Sequence, residues 1–96
     1  MEDIEGIYYF IKDGLKDSWK HYEYAKKAHM HNNIEVVKYH IEEGLYRIER
    51  IRVADKLFRK LVMEHSNDLD DLSKLMYEDV IMDAEYLEQR FHKIKL

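Results

Sequence analysis

Proline is absent from this 96-residue chain and glycine occurs only three times. Nothing of the residue type that most strongly breaks helices interrupts it. Cysteine is absent too, which excludes disulfides, thiolate metal sites and cysteine nucleophiles, and fits a reducing cytoplasm. No apolar run approaches the roughly 18 residues of a membrane span. The acidic opening Met1-Glu2-Asp3 with no uninterrupted apolar stretch after it does not read as a secretory signal. The expectation is a soluble, cytoplasmic protein with no membrane partner. A basic excess is also missing: 16 Lys and Arg stand against 20 Asp and Glu, a net charge of −4. Phosphate neutralisation needs a basic surface, so the balance argues against nucleic acid as the partner.

What the chain does have is apolar residues at helical spacing from end to end. Apolar residues make up 46% and charged residues 38%, with eight tyrosines, three phenylalanines and one tryptophan. Highly charged disordered chains are poor in aromatics, so the composition indicates one folded helical domain over residues 1–96. The periodicity breaks at Asn32-Asn33 and at Ser66-Asn67-Asp68. Three long helices follow, over about 3–31, 33–64 and 67–95. Asn32 with Glu35 three residues on is a capping-box variant for the second helix. Acidic residues open the first and third helices and lysines close them, as the partial charges at helix ends favour.

The first helix carries an inward seam Ile4, Tyr8, Ile11, Leu15, Ser18, Tyr22, Ala25 and His29, with the alternating three-and-four spacing of a bundle. Gly14 within this helix predicts a close helix contact, since glycine there costs about 1 kcal/mol against alanine. The second helix has one seam through Ile34, Val37, Ile41, Leu45, Ile48, Ile51, Phe58 and Leu61. A second stripe runs beside it: Val36, Tyr39, Glu43, Tyr46, Arg50, Val53 and Leu57. The third seam is Leu69, Leu72, Met76, Val80, Ala84, Leu87, Phe91 and Ile94. Connections of two or three residues require antiparallel neighbours. The fold class is therefore all-α, an up-down-up bundle of three long antiparallel helices. Phe10, Trp19, Tyr24, Leu75, Met82 and Tyr86 lie beside the seams as surplus apolar material. They predict self-association into a homodimer or larger helical bundle. Arg47 and Arg50 fall level with Asp83, Glu85 and Tyr86, which predicts cross-helix ion pairs to the third helix.

Few residues offer chemistry. Folding at the two breaks brings His21, His40, Glu43 and His92 to similar heights in the bundle. Imidazoles and a carboxylate so placed suit iron, zinc or manganese. The opposing reading is that these histidines pack at seam edges, and on it no cofactor is expected. Tyr22, Ala25 and Ala28, the Asn32-Asn33 break and Ile34 resemble the first helical hairpin of rubrerythrins, over about a third of the chain. That resemblance implies a ferritin-like bundle with bound metal. Di-iron sites of that class use Glu-x-x-His, where this chain has Glu43-x-x-Tyr46 and Glu49-x-x-Arg52. Arg59 and His65 are spaced similarly to the Arg-x4–6-His motif of HEPN-type ribonucleases, with Lys60 where that family has a polar residue such as asparagine. Membership would imply a ribonuclease site at a dimer interface. On a continuous helix that spacing sets the two side chains about 120° apart. The acidic pairs Glu42-Glu43, Asp70-Asp71 and Glu78-Asp79 lack the ordered pattern of magnesium-dependent helical pyrophosphatases. No phosphate loop or nucleophile elbow is present.

Tyrosine suits surfaces that are apolar yet keep a hydroxyl wet. The leading functional expectation is a non-enzymatic interaction and assembly module, binding itself or a protein partner through Val36, Tyr39, Tyr46, Val53 and Leu57. The alternatives are a metal-binding bundle using His21, His40, Glu43 and His92, and a HEPN-like ribonuclease.

Overall fold

The computed structural model describes residues 2–64 and 71–95, with side chains described over 4–64 and 78–95. Three helices account for nearly all of it: α1 (Glu2–Met30), α2 (Ile34–Glu64) and α3 (Asp71–His92). No strand occurs among the described residues. No helix of the described chain is long and apolar enough to cross a membrane. The bundle measures 52 × 18 × 15 Å, so each helix runs along the long axis. The expected start of the third helix at 67, and its break at Ser66-Asn67-Asp68, lie outside the described residues, as do the side chains of Leu69, Leu72, Leu75 and Met76.

The turn between α1 and α2 is two asparagines deep, and each does a different job. Asn32 takes a left-handed backbone, φ 57°, a conformation that glycine and asparagine accept most readily. Its N–H donates to the His29 carbonyl at 3.1 Å, and the Asn33 N–H donates to the Ala28 carbonyl at 2.9 Å. These two bonds are the Schellman closure of a helix C-terminus. Asn33 then caps α2. Its side-chain oxygen accepts from the Val36 N–H at 3.4 Å, and its carbonyl accepts the first helical bond from Val37 at 3.0 Å. The expected Asn32–Glu35 capping box is therefore corrected: Asn32 ends α1, Asn33 opens α2, and Glu35 lies one position short of the box.

Most of the described seam residues turn inward as their spacing requires; His29 and Ile34, beside the α1–α2 turn, are exposed instead. Ile4, Ile11, Leu15, Tyr22, Ile48, Ile51, Phe58, Ala84, Leu87 and Phe91 form the main core, and Ala25, Ala28 and Val37 a smaller cluster beside the turn. Contacts between α1 and α2 pair Gly14 with Ile51, Ser18 with Gly44 and His21 with His40, so the two helices run in opposite directions. Contacts between α1 and α3 pair Trp19 with Tyr86, Tyr22 with Arg90 and His29 with Lys95. Both numbers rise together, so α3 runs alongside α1.

A close crossing lies at Gly44. Ser18, fully buried, donates its hydroxyl to the Gly44 carbonyl at 2.9 Å. The Phe91 ring lies over Gly44 so closely that an added methyl group would overlap it. Gly14 also makes the expected close approach, with a hypothetical methyl 3.3 Å from Ile51. At Gly44 all three helices meet.

Polar latches hold α3 to the pair. Arg52 bridges Glu49 on its own helix and Glu88 on α3. The Arg52 guanidinium holds the Glu88 carboxyl below its ordinary range. Arg90 donates to the hydroxyls of Tyr22 (3.2 Å) and Tyr86 (2.7 Å), while Trp19 stacks on Tyr22 with centroids 5.8 Å apart. The expected pairing of Arg47 and Arg50 with α3 is not what forms. Arg47 reaches Asp17 on α1 and Glu43 on α2, and Arg50 lies over the rings of Phe10 and Tyr46. Residues two apart on a helix point about 200° from each other. Arg52 faces α3, so Arg50 cannot.

Candidate partner-binding face

The same geometry fixes where the second stripe of α2 points. Gly44 and Arg52 face α3, and Tyr46 and Arg50 stand two residues from them, on the opposite side of the helix. The apolar members of the stripe are accordingly exposed: Val36 38%, Tyr39 55%, Tyr46 57%, Val53 69% and Leu57 49%. α3 does not cover them.

Two exposed aromatics of α1, Phe10 and Tyr24, extend this face sideways. By spacing against the main seam they are surplus apolar residues. Their signal was present in the three-and-four spacing Phe10, Gly14, Asp17, His21, Tyr24, a second register of α1 beside its inward seam. Phe10, Gly14, Asp17, Tyr46 and Arg50 line a shallow groove of about 290 Å³ along the α1–α2 line. Arg50 stands with its guanidinium 5.5 Å from the Phe10 ring centre and 5.8 Å from that of Tyr46. No carboxylate lies within ion-pair distance of it among the described residues. At the other end of the face, Tyr24 and Tyr39 flank His40 at centroid distances of 5.2 and 5.0 Å.

His21 and His40 do come together. Their Nδ1 atoms are 2.9 Å apart, so one ring donates its N–H and the other accepts. Two nitrogens on one tetrahedral zinc would stand about 3.3 Å apart, so the spacing here is that of a hydrogen bond. Glu43 lies close enough to act on His21 electrostatically, but its carboxylate is bonded to Arg47 at 2.9 Å. His92 is exposed on α3. It follows Phe91, whose ring is buried, and adjacent helical residues diverge by about 100°. It faces the Glu88 side instead. Among the described residues no three His, Asp or Glu side chains are grouped so as to hold a metal ion. Arg59 is taken up by Asp55, with both oxygens at 3.1 Å; its sequence partner His65 lies outside the described residues.

The histidine pair carries a pH dependence. Burial, the Arg47 guanidinium and the His40 ring hold His21 below the usual histidine range, against the pull of Glu43 and Asp17. A histidine with a depressed folded pKa stabilises the fold fully above its unfolded value of about 6.5. That contribution is lost as pH falls towards the folded value, because the unfolded chain binds the proton first. The melting temperature should therefore fall between pH 7.5 and 5.5, and His21→Gln should flatten that part of the profile. Parallel profiles for the two proteins would remove His21 as the cause.

No protein-family model, no curated protein and no solved structure matches this chain. The arrangement of its own side chains is the ground for a functional reading.

Proposed function

We propose that this protein is a non-enzymatic assembly module whose outer α2 face packs against another helical surface, that of a second copy. The observation that carries this is the stripe Val36, Tyr39, Tyr46, Val53 and Leu57, which keeps the a/d spacing of a helix–helix seam and is left outside the monomer's own core. A stripe of that periodicity on a free helix face is what bundle completion uses.

The aromatic and arginine content of the face, with Phe10, Tyr24, Tyr39, Tyr46 and Arg50 together, matches the residue types enriched in interface cores.

Val53→Glu tests the reading. Val53 is 69% exposed, so a carboxylate there leaves the isolated fold within about 0.5 kcal/mol of the original. Buried at an interface, the same charge would be unpaired and would dissociate the complex. Sedimentation velocity over micromolar concentrations should give an assembly for the natural sequence and a monomer for the variant, with unchanged helical circular dichroism. A natural sequence that sediments as an 11.8 kDa species throughout would overturn the proposal.

A further inference from the structure

The stripe on α2 is nearly the same read forwards and backwards. From either end it runs aliphatic, apolar, charged, then Tyr46 at the middle: Val36, Tyr39, Glu43, Tyr46, Arg50, Val53, Leu57. The two charges are opposite in sign and stand either side of the centre. The residues of α1 beside it repeat this symmetry. Asp17, which pairs with Arg47 at 3.9 Å, is flanked at one heptad each way by the exposed rings of Phe10 and Tyr24.

We infer that the second copy binds antiparallel, across a two-fold axis close to Tyr46 and Arg47, so that Glu43 of each copy meets Arg50 of the other. The inference rests on the assembly reading above and specifies its register. A two-fold interface must be self-complementary, and this order of residues satisfies that only when the helices oppose. Val36 then meets Leu57, Phe10 lies level with Tyr24, and the Tyr46 rings meet near the axis. In a parallel pairing Glu43 would face Glu43 and Arg50 would face Arg50, two like-charge contacts along one seam, which penalise that alternative. Arg50 has aromatic rings around it but no carboxylate in its own chain among the described residues, so the position for an acidic partner is open. Glu43 already holds Arg47, and its carboxylate has a second oxygen to accept from Arg50 of the other copy.

The absence of cysteine makes the test clean. Single variants Val36→Cys, Tyr46→Cys and Leu57→Cys, all at exposed positions, are treated with a short bis-maleimide at a concentration where the natural sequence is assembled. Tyr46→Cys should cross-link with itself. Val36→Cys and Leu57→Cys should each fail alone and cross-link when mixed. In parallel, Glu43→Arg should weaken the dimer about tenfold or more, and adding Arg50→Glu should restore most of that loss. Self-cross-linking of Val36→Cys, or a charge swap that restores nothing, would overturn the register while leaving assembly in place. A dimer with no cross-link at any of the three positions would also overturn it, by placing the interface elsewhere. A natural sequence that never dimerises would remove both the register and the reading beneath it.

Discussion

Gly44→Ala is expected to destabilise the protein by about 2 kcal/mol, although glycine-to-alanine in a helix ordinarily gains close to 1. The sign reverses because of what lies above the glycine. The added methyl group would occupy space held by the Phe91 ring. That ring is 1% exposed and packs against Tyr22 at 5.5 Å, so it has little room to swing aside. On the flank, the Ser18 hydroxyl bonds to the Gly44 carbonyl and holds α1 close as well. Overpacking a site enclosed on both sides typically costs 1–3 kcal/mol. Urea unfolding followed by circular dichroism would show the midpoint fall. The double variant Gly44→Ala with Phe91→Leu should be more stable than the sum of its parts, since each change relieves the other. A Gly44→Ala protein as stable as the original would mean that the helices do not approach this closely.

Phe91→Ala should have the larger effect, about 3–5 kcal/mol, the usual range for removing a buried aromatic ring. Against the 5–15 kcal/mol total of a typical domain, that is a large share. Its readout should also be local. α3 is held by Ala84, Leu87 and Phe91 in the core, by the Glu88–Arg52 bridge and by Arg90 on two tyrosine hydroxyls. α1 and α2 share a longer seam with its own turn. Native-state hydrogen exchange should show α3 amides losing protection first, at a lower free energy than those of α1 and α2. Uniform loss along all three helices would instead make the bundle a single cooperative unit.

Much of this fold was legible because helical periodicity reports which face of a segment turns inward. Helices over about 3–31 and 33–64 are observed at 2–30 and 34–64, and every buried residue of α2 other than Gly44 belongs to the seam read from spacing. Periodicity does not report which neighbour a face meets. Height alone sets Arg47 and Arg50 level with α3, yet they turn to Asp17 and Phe10 of α1, because height along the bundle and angle around it are independent. The same independence separates His92 from His21 and His40. The Gly44 contact is not legible in the sequence because its partner ring is 47 positions away, and a glycine has no side chain to announce a contact. The cap was displaced by one residue because two adjacent asparagines satisfy the same local rule, and only the backbone shows which takes the left-handed turn.

An odd number of helices has an electrical consequence. α1 and α3 run the same way and α2 runs against them, so one helix moment along the 52 Å axis is left without an opposite. The carbonyl ends of α1 and α3 lie at the same pole, near His29 and Lys95. Each helix contributes about half an elementary charge at its ends, so that pole is net negative in its backbone and is faced with Lys26, Lys27, Lys93 and Lys95. Six helices in two opposed sets of three would have no such remainder. A pairing that turns the second molecule end for end cancels the moment of the first.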